Sequence, residues 1–285
     1  MTETGVPPFV SFLSDYGHAD EFVGVCKAVI ASFAPEATVI DITHDVPAFD
    51  VRAASLALVR SVQYLPGGVV LAVVDPGVGT ARRAIAVEVD GAYFVGPDNG
   101  LLAPAVAMVG GARRAVECTN SEFHLDAPGP TFAGRDVFAP VAANLAAGVP
   151  ITEFGPEIDP VTLLPGLVGL PRRDRGGALI GEIWWVDHFG NCQLNIDPEE
   201  LAAAGATLDG PVEVHFANQT RVARWVHTYA DAKPSELVIV VDSYGLCSLA
   251  FDRDSVAAEW NLKAGSSVTL VPPGASITGE EEGPS

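Results

Sequence analysis

Basic residues are scarce in this chain: 16 Lys and Arg stand against 36 Asp and Glu, a formal net charge of -20 over 285 residues. The bases are scattered, so the dense cationic surface that phosphate neutralisation requires is missing, and neither nucleic acid nor an anionic membrane is expected as a partner. An acidic surface suits a cationic ligand, although it serves equally well just to keep molecules apart. Cysteine is rare too. Cys26, Cys118, Cys192 and Cys247 are far apart and form no CxxC pair, which excludes zinc-finger spacing and a redox motif and leaves buried free thiols as the expectation. The six histidines show neither HxH nor HExxH spacing, so no metal is expected. There is no Walker loop and no GxGxxG; the GVGT after Asp75 lacks the lysine that reaches phosphate. No apolar run attains the roughly 18 residues of a membrane span, and MTETGVPPFV has no basic stretch leading into an apolar one. The expected location is the cytoplasm.

What is abundant is core material, with 48% hydrophobic residues, enough for one large or two unequal domains. Phe9 to Leu13, Thr38 to Ile42 and Val69 to Val74 read as buried strands, separated by helices over Ala19 to Phe33 and Asp50 to Tyr64. This alternation predicts an α/β domain with a largely parallel sheet covered on both faces, whose site lies beyond the carboxyl ends of the strands, where Asp15, Asp41 and Asp75 fall. A hairpin is expected around Asp90-Gly91, and another helix from Asp136 to Ala147, capped by Asp136. The stretch PGLVGLPRRDRGG, residues 165–177, has linker texture. Beyond it come short strands at Leu179 to Val186, Val212 to Phe216, Arg221 to Val226, Leu237 to Val241, Cys247 to Phe251 and Ser267 to Val271, the pattern of a smaller antiparallel β-barrel-like domain. The division expected is therefore 1–170 and 171–278, with an acidic tail at 279–285. No internal repeat is evident.

Few stretches carry chemistry by themselves. In VVDPGVGTARR an Asp at a strand end is followed by a glycine turn and by Arg82 and Arg83. Such a loop can fold an Arg back onto Asp75, and an ordinary turn with surface bases explains it equally well. PDNGLL reads as a turn, TFAGRD as a helix entry, and VDHFGN as a polar strand end or a hairpin turn.

Taken in order along the chain, FLSDYG, DITHDVPAFDVR, VVDPGVGTARRA, GPDNGLL, TFAGRDVFAP, VDHFGN and VDSYG resemble the S-adenosyl-L-methionine (SAM) hydroxide adenosyltransferases, the adenosine-forming SAM hydrolases related to the fluorinase and chlorinase. The resemblance implies attack of water or hydroxide on the ribose C5′ of SAM, with L-methionine leaving, and a homotrimer whose sites lie between the N-domain of one copy and the C-domain of its neighbour. It implies no cofactor, SAM being the substrate. Of the family's Asp, Arg and His around the water, the first two fall on Asp75 and Arg82. The third falls on Ala133, because this chain reads TFAGRD where the family has TFHGRD. One change in an otherwise intact motif is the pattern of an inactivated variant, so weakened turnover is implied. A SAM-binding protein that sequesters or senses without turnover is the alternative. The halogenases carry Tyr at the Asp75 position, which sets this chain with the hydrolases. For binding, the resemblance places Asp15 on the ribose hydroxyls, Phe49 against the ribose, Tyr229 on the adenine face, Asn191 at the adenine edge, and Asp187 and Ser243 at the methionine ammonium. Tyr244 stands where the halogenases have Arg.

Overall fold

The strands and helices are those of a computed structural model that describes residues 9–166 and 169–278. Two compact units divide the chain, residues 1–168 and 169–285. Two residues of the linker stretch, Leu167 and Val168, and the acidic tail lie outside the described residues.

In the first unit, apolar runs become strands and amphipathic segments become helices in alternation. The order is β1 (Phe9–Ser14), α1 (Phe22–Phe33), β2 (Thr38–Thr43), α2 (Val51–Val62), β3 (Gly68–Val73), β4 (Ala84–Val89), β5 (Ala92–Pro97), α3 (Ala103–Met108), β6 (Arg114–Glu117), α4 (Ala139–Ala146) and β7 (Glu157–Ile158). They form one sheet in the order β2-β1-β3-β5-β4-β6-β7. The pairs β1–β2, β1–β3 and β3–β5 are parallel, and the pairs from β5 outward through β4, β6 and β7 are antiparallel. Every residue of β3 is buried, as a central parallel strand covered on both faces requires. Helices α1 and α4 pack together over Val10, Phe12, Val69 and Leu71. Each such side chain removed from water contributes about 1.5–3 kcal/mol. The hairpin at Asp90-Gly91 forms as expected, with Gly91 at φ 75°.

The expected helix over Asp136 to Ala147 is corrected in two ways. Its first turn, Gly134–Phe138, is π-helical, and Asp136 makes no cap: its carboxylate takes the adjacent Arg135 guanidinium instead. Asp41, placed by sequence at a strand end, lies within β2 opposite Phe12.

The second unit contains β8 (Arg172–Arg173), β9 (Leu179–Val186), β10 (Cys192–Leu194), α5 (Pro198–Ala203), β11 (Pro211–Phe216), β12 (Gln219–Trp225), β13 (Val238–Val241), β14 (Cys247–Ala250), α6 (Val256–Trp260) and β15 (Ser267–Val271). The sheet runs β10-β14-β13-β12-β11-β15-β9, and β9 pairs back to β10, closing a seven-stranded barrel with β8 added outside it. Closure leaves no unpaired barrel edge. Alternate residues such as Ile183, Val214, Ile239, Leu249 and Leu270 fill the interior, and Trp260 of α6 stacks on Phe216 at 4.5 Å.

Candidate active site

The carboxyl ends of β1 and β3 carry Asp15 and Asp75 side by side because the two strands are neighbours in parallel register. Both line a cavity of about 590 Å³ in the first unit, together with Tyr16, Phe49, Phe132 and Ala133. Asn99 ties the end of β3 in place by donating its amide to the Val74 carbonyl at 2.8 Å.

The loop after Asp75 does fold back. Arg82 Nε lies 3.0 Å from both Asp75 oxygens, and Nη2 lies 2.5 Å from Oδ2. The pair is largely withdrawn from water, with 8% of the Asp75 side chain and 16% of that of Arg82 exposed. Gly77 faces the returning arginine closely: a Cβ there would lie 3.2 Å from Arg82 Cγ, a tight contact. The Arg82 guanidinium also lies over the Phe138 ring, 5.0 Å from its centroid, a contact that a low-dielectric surround strengthens. Arg83, the other guanidinium of the motif, turns away to Asp98 and to the side chain and carbonyl of Thr162, a structural clasp. One arginine of the dipeptide holds Asp75 and the other clasps the scaffold.

Ala133 precedes the π-helical turn and borders two spaces: the cavity above and a second of about 750 Å³ that also touches Arg82 and His124. A methyl group thus stands where open volume lies on two sides, close to the Asp75–Arg82 pair. Asp15 Oδ2 accepts the backbone N–H of Phe49 at 2.9 Å. Phe49 itself is 71% exposed and adopts φ 67°, an unusual conformation for a side chain of its size.

Tyr16, within FLSDYG, helps build the cavity. Its ring meets Phe22 and Phe132 edge-on at 5.9 and 5.6 Å, and its hydroxyl reaches the backbone of Gly134 so closely that a Cβ there would lie 2.0 Å from Oη. Burial first, then the nearby Cys26, Asp15 and Asp75, push its pKa well above the ordinary tyrosine value, so the phenol is a neutral hydrogen-bond donor. Only its motif neighbours could have signalled this.

In the second unit, Asp187, Asn191 and Ser243 sit on two turns of the same construction. Asp187 Oδ1 accepts the N–H groups of Phe189 and Asn191, both at 2.9 Å, and its backbone N–H meets the Asn191 carbonyl. Asp242 Oδ1 accepts the N–H groups of Tyr244 and Leu246 at 2.8 and 3.3 Å, and its N–H meets the Leu246 carbonyl. Glycines 190 and 245, at φ 84° and 82°, occupy the same place in each. The segments read VDHFGNC and VDSYGLC, a local repeat that the sequence reading missed because only four of seven positions coincide. Asn191 donates its amide to Asp187 Oδ2 at 2.8 Å, leaving its carbonyl oxygen for a ligand donor. Buried Gln193 braces the second turn through Asp242. Tyr229, 43% exposed, feels both turns: burial, then the charges of Asp187 and Asp242, raise its pKa. The structure therefore gathers Asp75, Arg82, Ala133, Asp15 and Phe49 in one unit, and Asp187, Asn191, Tyr229 and Ser243 in the other.

An α/β unit with an Arg-held carboxylate beyond its parallel strands, followed by a closed β-barrel, defines a two-unit α/β-plus-barrel protein. Residues 10–155 match the family model for the SAM hydroxide adenosyltransferase N-terminal domain, and residues 181–269 that for the C-terminal domain; the chain belongs to this family. It is 47% identical over 250 residues to an (R)-S-adenosyl-L-methionine hydrolase of Salinispora tropica, covering 88% of this chain and 92% of that one. A protein of the same description from Thermus thermophilus is 39% identical over 277 residues, covering 92% and 99%. A fluorinase from an Actinoplanes species is 30% identical, covering 92% and 97%. Among solved structures, an uncharacterized conserved protein from Thermotoga maritima superposes with a TM-score of 0.86 at 34% identity, covering 92% of this chain and 99% of that one.

Proposed function

We propose that this protein hydrolyses SAM to adenosine and L-methionine by attack of water on the ribose C5′. The observation that carries the reading is the Asp75–Arg82 pair, largely withdrawn from water, whose Asp75 lines the same cavity as Asp15 at the carboxyl ends of adjacent strands. A sulfonium leaves as a neutral thioether without protonation, so the protein has only to hold the ribose, aim a water and accept its proton. Asp15 offers a carboxylate to the ribose hydroxyls, with Phe49 as the wall beside it. Arg82 fixes the Asp75 rotamer, and the Asp75 lone pairs that remain can take a water proton. The methionine ammonium is met by Asp187 and Ser243, adenine by Tyr229 and Asn191. Such a displacement calls for no cofactor.

Incubation with SAM in ¹⁸O-water, followed by mass spectrometry, tests the proposal: methionine and adenosine labelled at the 5′-oxygen are expected. Label absent from adenosine would exclude attack at C5′. Ala133 favours a second reading, stoichiometric SAM binding without turnover, for which unchanged SAM would be recovered from the protein. Between these we place a hydrolase weakened at position 133. We further propose a homotrimer with each site shared between neighbouring copies, supported by the family resemblance. Four buried, unpaired thiols favour a reducing compartment, the cytoplasm. Among the described residues no helix is long and apolar enough to cross a membrane.

A further inference from the structure

Beneath the loop that carries Asp15 and Tyr16 lies a proton-ordered relay that plays no part in the chemistry above. Lys27 of α1 donates to Asp41 Oδ2 at 2.6 Å; Asp41 Oδ1 lies 3.2 Å from His44 Nε2; and His44 Nδ1 lies 2.7 Å from Ser14 Oγ. The Tyr16 backbone N–H then donates to Ser14 Oγ at 3.3 Å. An ionised Asp41 can only accept, so the proton sits on His44 Nε2, Nδ1 accepts, and the Ser14 hydroxyl donates to it. Ser14 and His44 are both fully buried. The partners stand in the order of a nucleophilic Ser-His-Asp triad, but Ser14 has no surface from which to reach an electrophile, so the relay has a different task.

That task is visible in what the relay holds. Besides the bond through Ser14, the His44 carbonyl accepts the Gly17 N–H at 2.8 Å, so His44, directly and through Ser14, holds the consecutive amides of Tyr16 and Gly17. Asp15 in turn accepts from Phe49, so the second loop bordering the cavity leans on the first. The imidazole packs edge-on against Phe12 at 4.6 Å and His18 at 5.4 Å. Burial lowers its pKa, with Asp41 pulling the other way and His18 and Lys27 adding to the lowering, which keeps the ring in the neutral form that the bond to Ser14 requires.

We propose that His44 is a positioning residue for the nucleoside end of the site, setting the loop of Asp15 and Tyr16 through Ser14 with its tautomer fixed by Asp41. The inference rests on the nucleoside cavity proposed above. Displacement of Asp15 by a fraction of an ångström would misalign a charge-assisted bond that depends on direction.

The test is adenosine binding by calorimetry to the full chain, in the native protein and in Ser14→Ala, His44→Phe and His44→Asn, alongside amide hydrogen exchange at Tyr16 and Gly17. In His44→Asn an amide oxygen stands near the position of Nδ1 and can accept from Ser14. Ser14→Ala and His44→Phe are expected to weaken adenosine about tenfold, the worth of one net hydrogen bond, and to speed exchange at both amides. His44→Asn should recover most of the affinity. A merely structural contribution would lower the melting temperature and leave the affinity of folded protein unchanged; binding within twofold of native in folded Ser14→Ala and His44→Phe overturns the proposal while the hydrolase reading stands. Failure of His44→Asn to recover transfers the effect to ring packing and overturns it as well. Should the native protein bind neither adenosine nor SAM, the nucleoside reading fails and this inference with it. Where His44→Phe does not fold, Ser14→Ala, which removes one oxygen, decides.

Discussion

At Asp75 both carboxylate oxygens are engaged by one guanidinium, so its rotamer is settled before substrate arrives; what varies is the neighbouring position, Ala133. An imidazole there would stand beside the pair, with open volume on two sides to receive it. General-base assistance is worth roughly 10²- to 10⁴-fold. We therefore expect Ala133→His to raise single-turnover hydrolysis by that order while SAM affinity stays nearly constant, as read by adenosine release at several pH values. Equal rates throughout would mean that Asp75 and Arg82 suffice. Asp15 is tested differently: Asp15→Ala should weaken adenosine by about 1.5–3 kcal/mol, the worth of charge-assisted hydrogen bonds. The Phe49 N–H that it frees is on an exposed residue and water can take it, so the melting temperature should move little. Unchanged affinity by calorimetry would remove Asp15 from the site.

At the scale of elements, the π-helical turn Gly134–Phe138 is where local sequence and tertiary demand part company. TFAGRDVFAP reads as an ordinary helix entry because nothing in a 3.6-residue period announces a widened turn. Its Gly134 lies against Tyr16, 118 residues away, and no window of sequence contains both. Gly134→Ala should overpack this contact and cost about 1–3 kcal/mol, measured by chemical denaturation. Tyr16→Phe, lacking the Oη that the new methyl strikes, should relieve part of the loss in the double variant. Additive losses would show that the two residues do not meet. The central strands and the barrel strands were legible because their apolar runs are long, and β9 and β15 begin and end where the pattern placed them. β10 has three residues, too few for any period to register, yet the barrel closes through it. Asp136 was misread because a carboxylate before a helix looks like a cap whether or not an adjacent Arg135 claims it.

For the whole molecule, pH acts through two imidazoles drawn away from water. His44 and His124 are both held below the ordinary histidine value, burial being the largest cause in each. The unfolded chain therefore binds these protons more readily than the folded one, and stability falls as pH drops below about 6.5 until the folded groups themselves protonate. Asp41, lowered through Lys27 and His44 against the opposing effect of its burial, adds a further loss below its ordinary value of 3.8. Thermal melts between pH 7.5 and 5 should show a falling midpoint; a flat profile would mean that neither imidazole resists its proton. Assembly is measured by light scattering, where three times the chain mass of 29.6 kDa is expected of a trimer and a monomer with ligand still bound would contradict a shared site. Net charge and composition could suggest a cationic ligand but no assembly state, since burial between copies leaves no period in a sequence.

The two aspartate turns of the barrel divide labour in a way that bears on how such a surface changes over time. Valine, aspartate, glycine and cysteine recur in both, and the aspartate carboxylates gather the turn amides, whereas His188, Phe189 and Asn191 on one turn differ from Ser243, Tyr244 and Leu246 on the other, Asn191 also bracing its own aspartate. Architecture is thereby written mostly in the shared letters, and the differing ones are where the two turns can diverge. Change at the five differing positions other than Asn191 would leave the carboxylate-to-amide frame in place, so what each turn presents can be redrafted without renegotiating the fold.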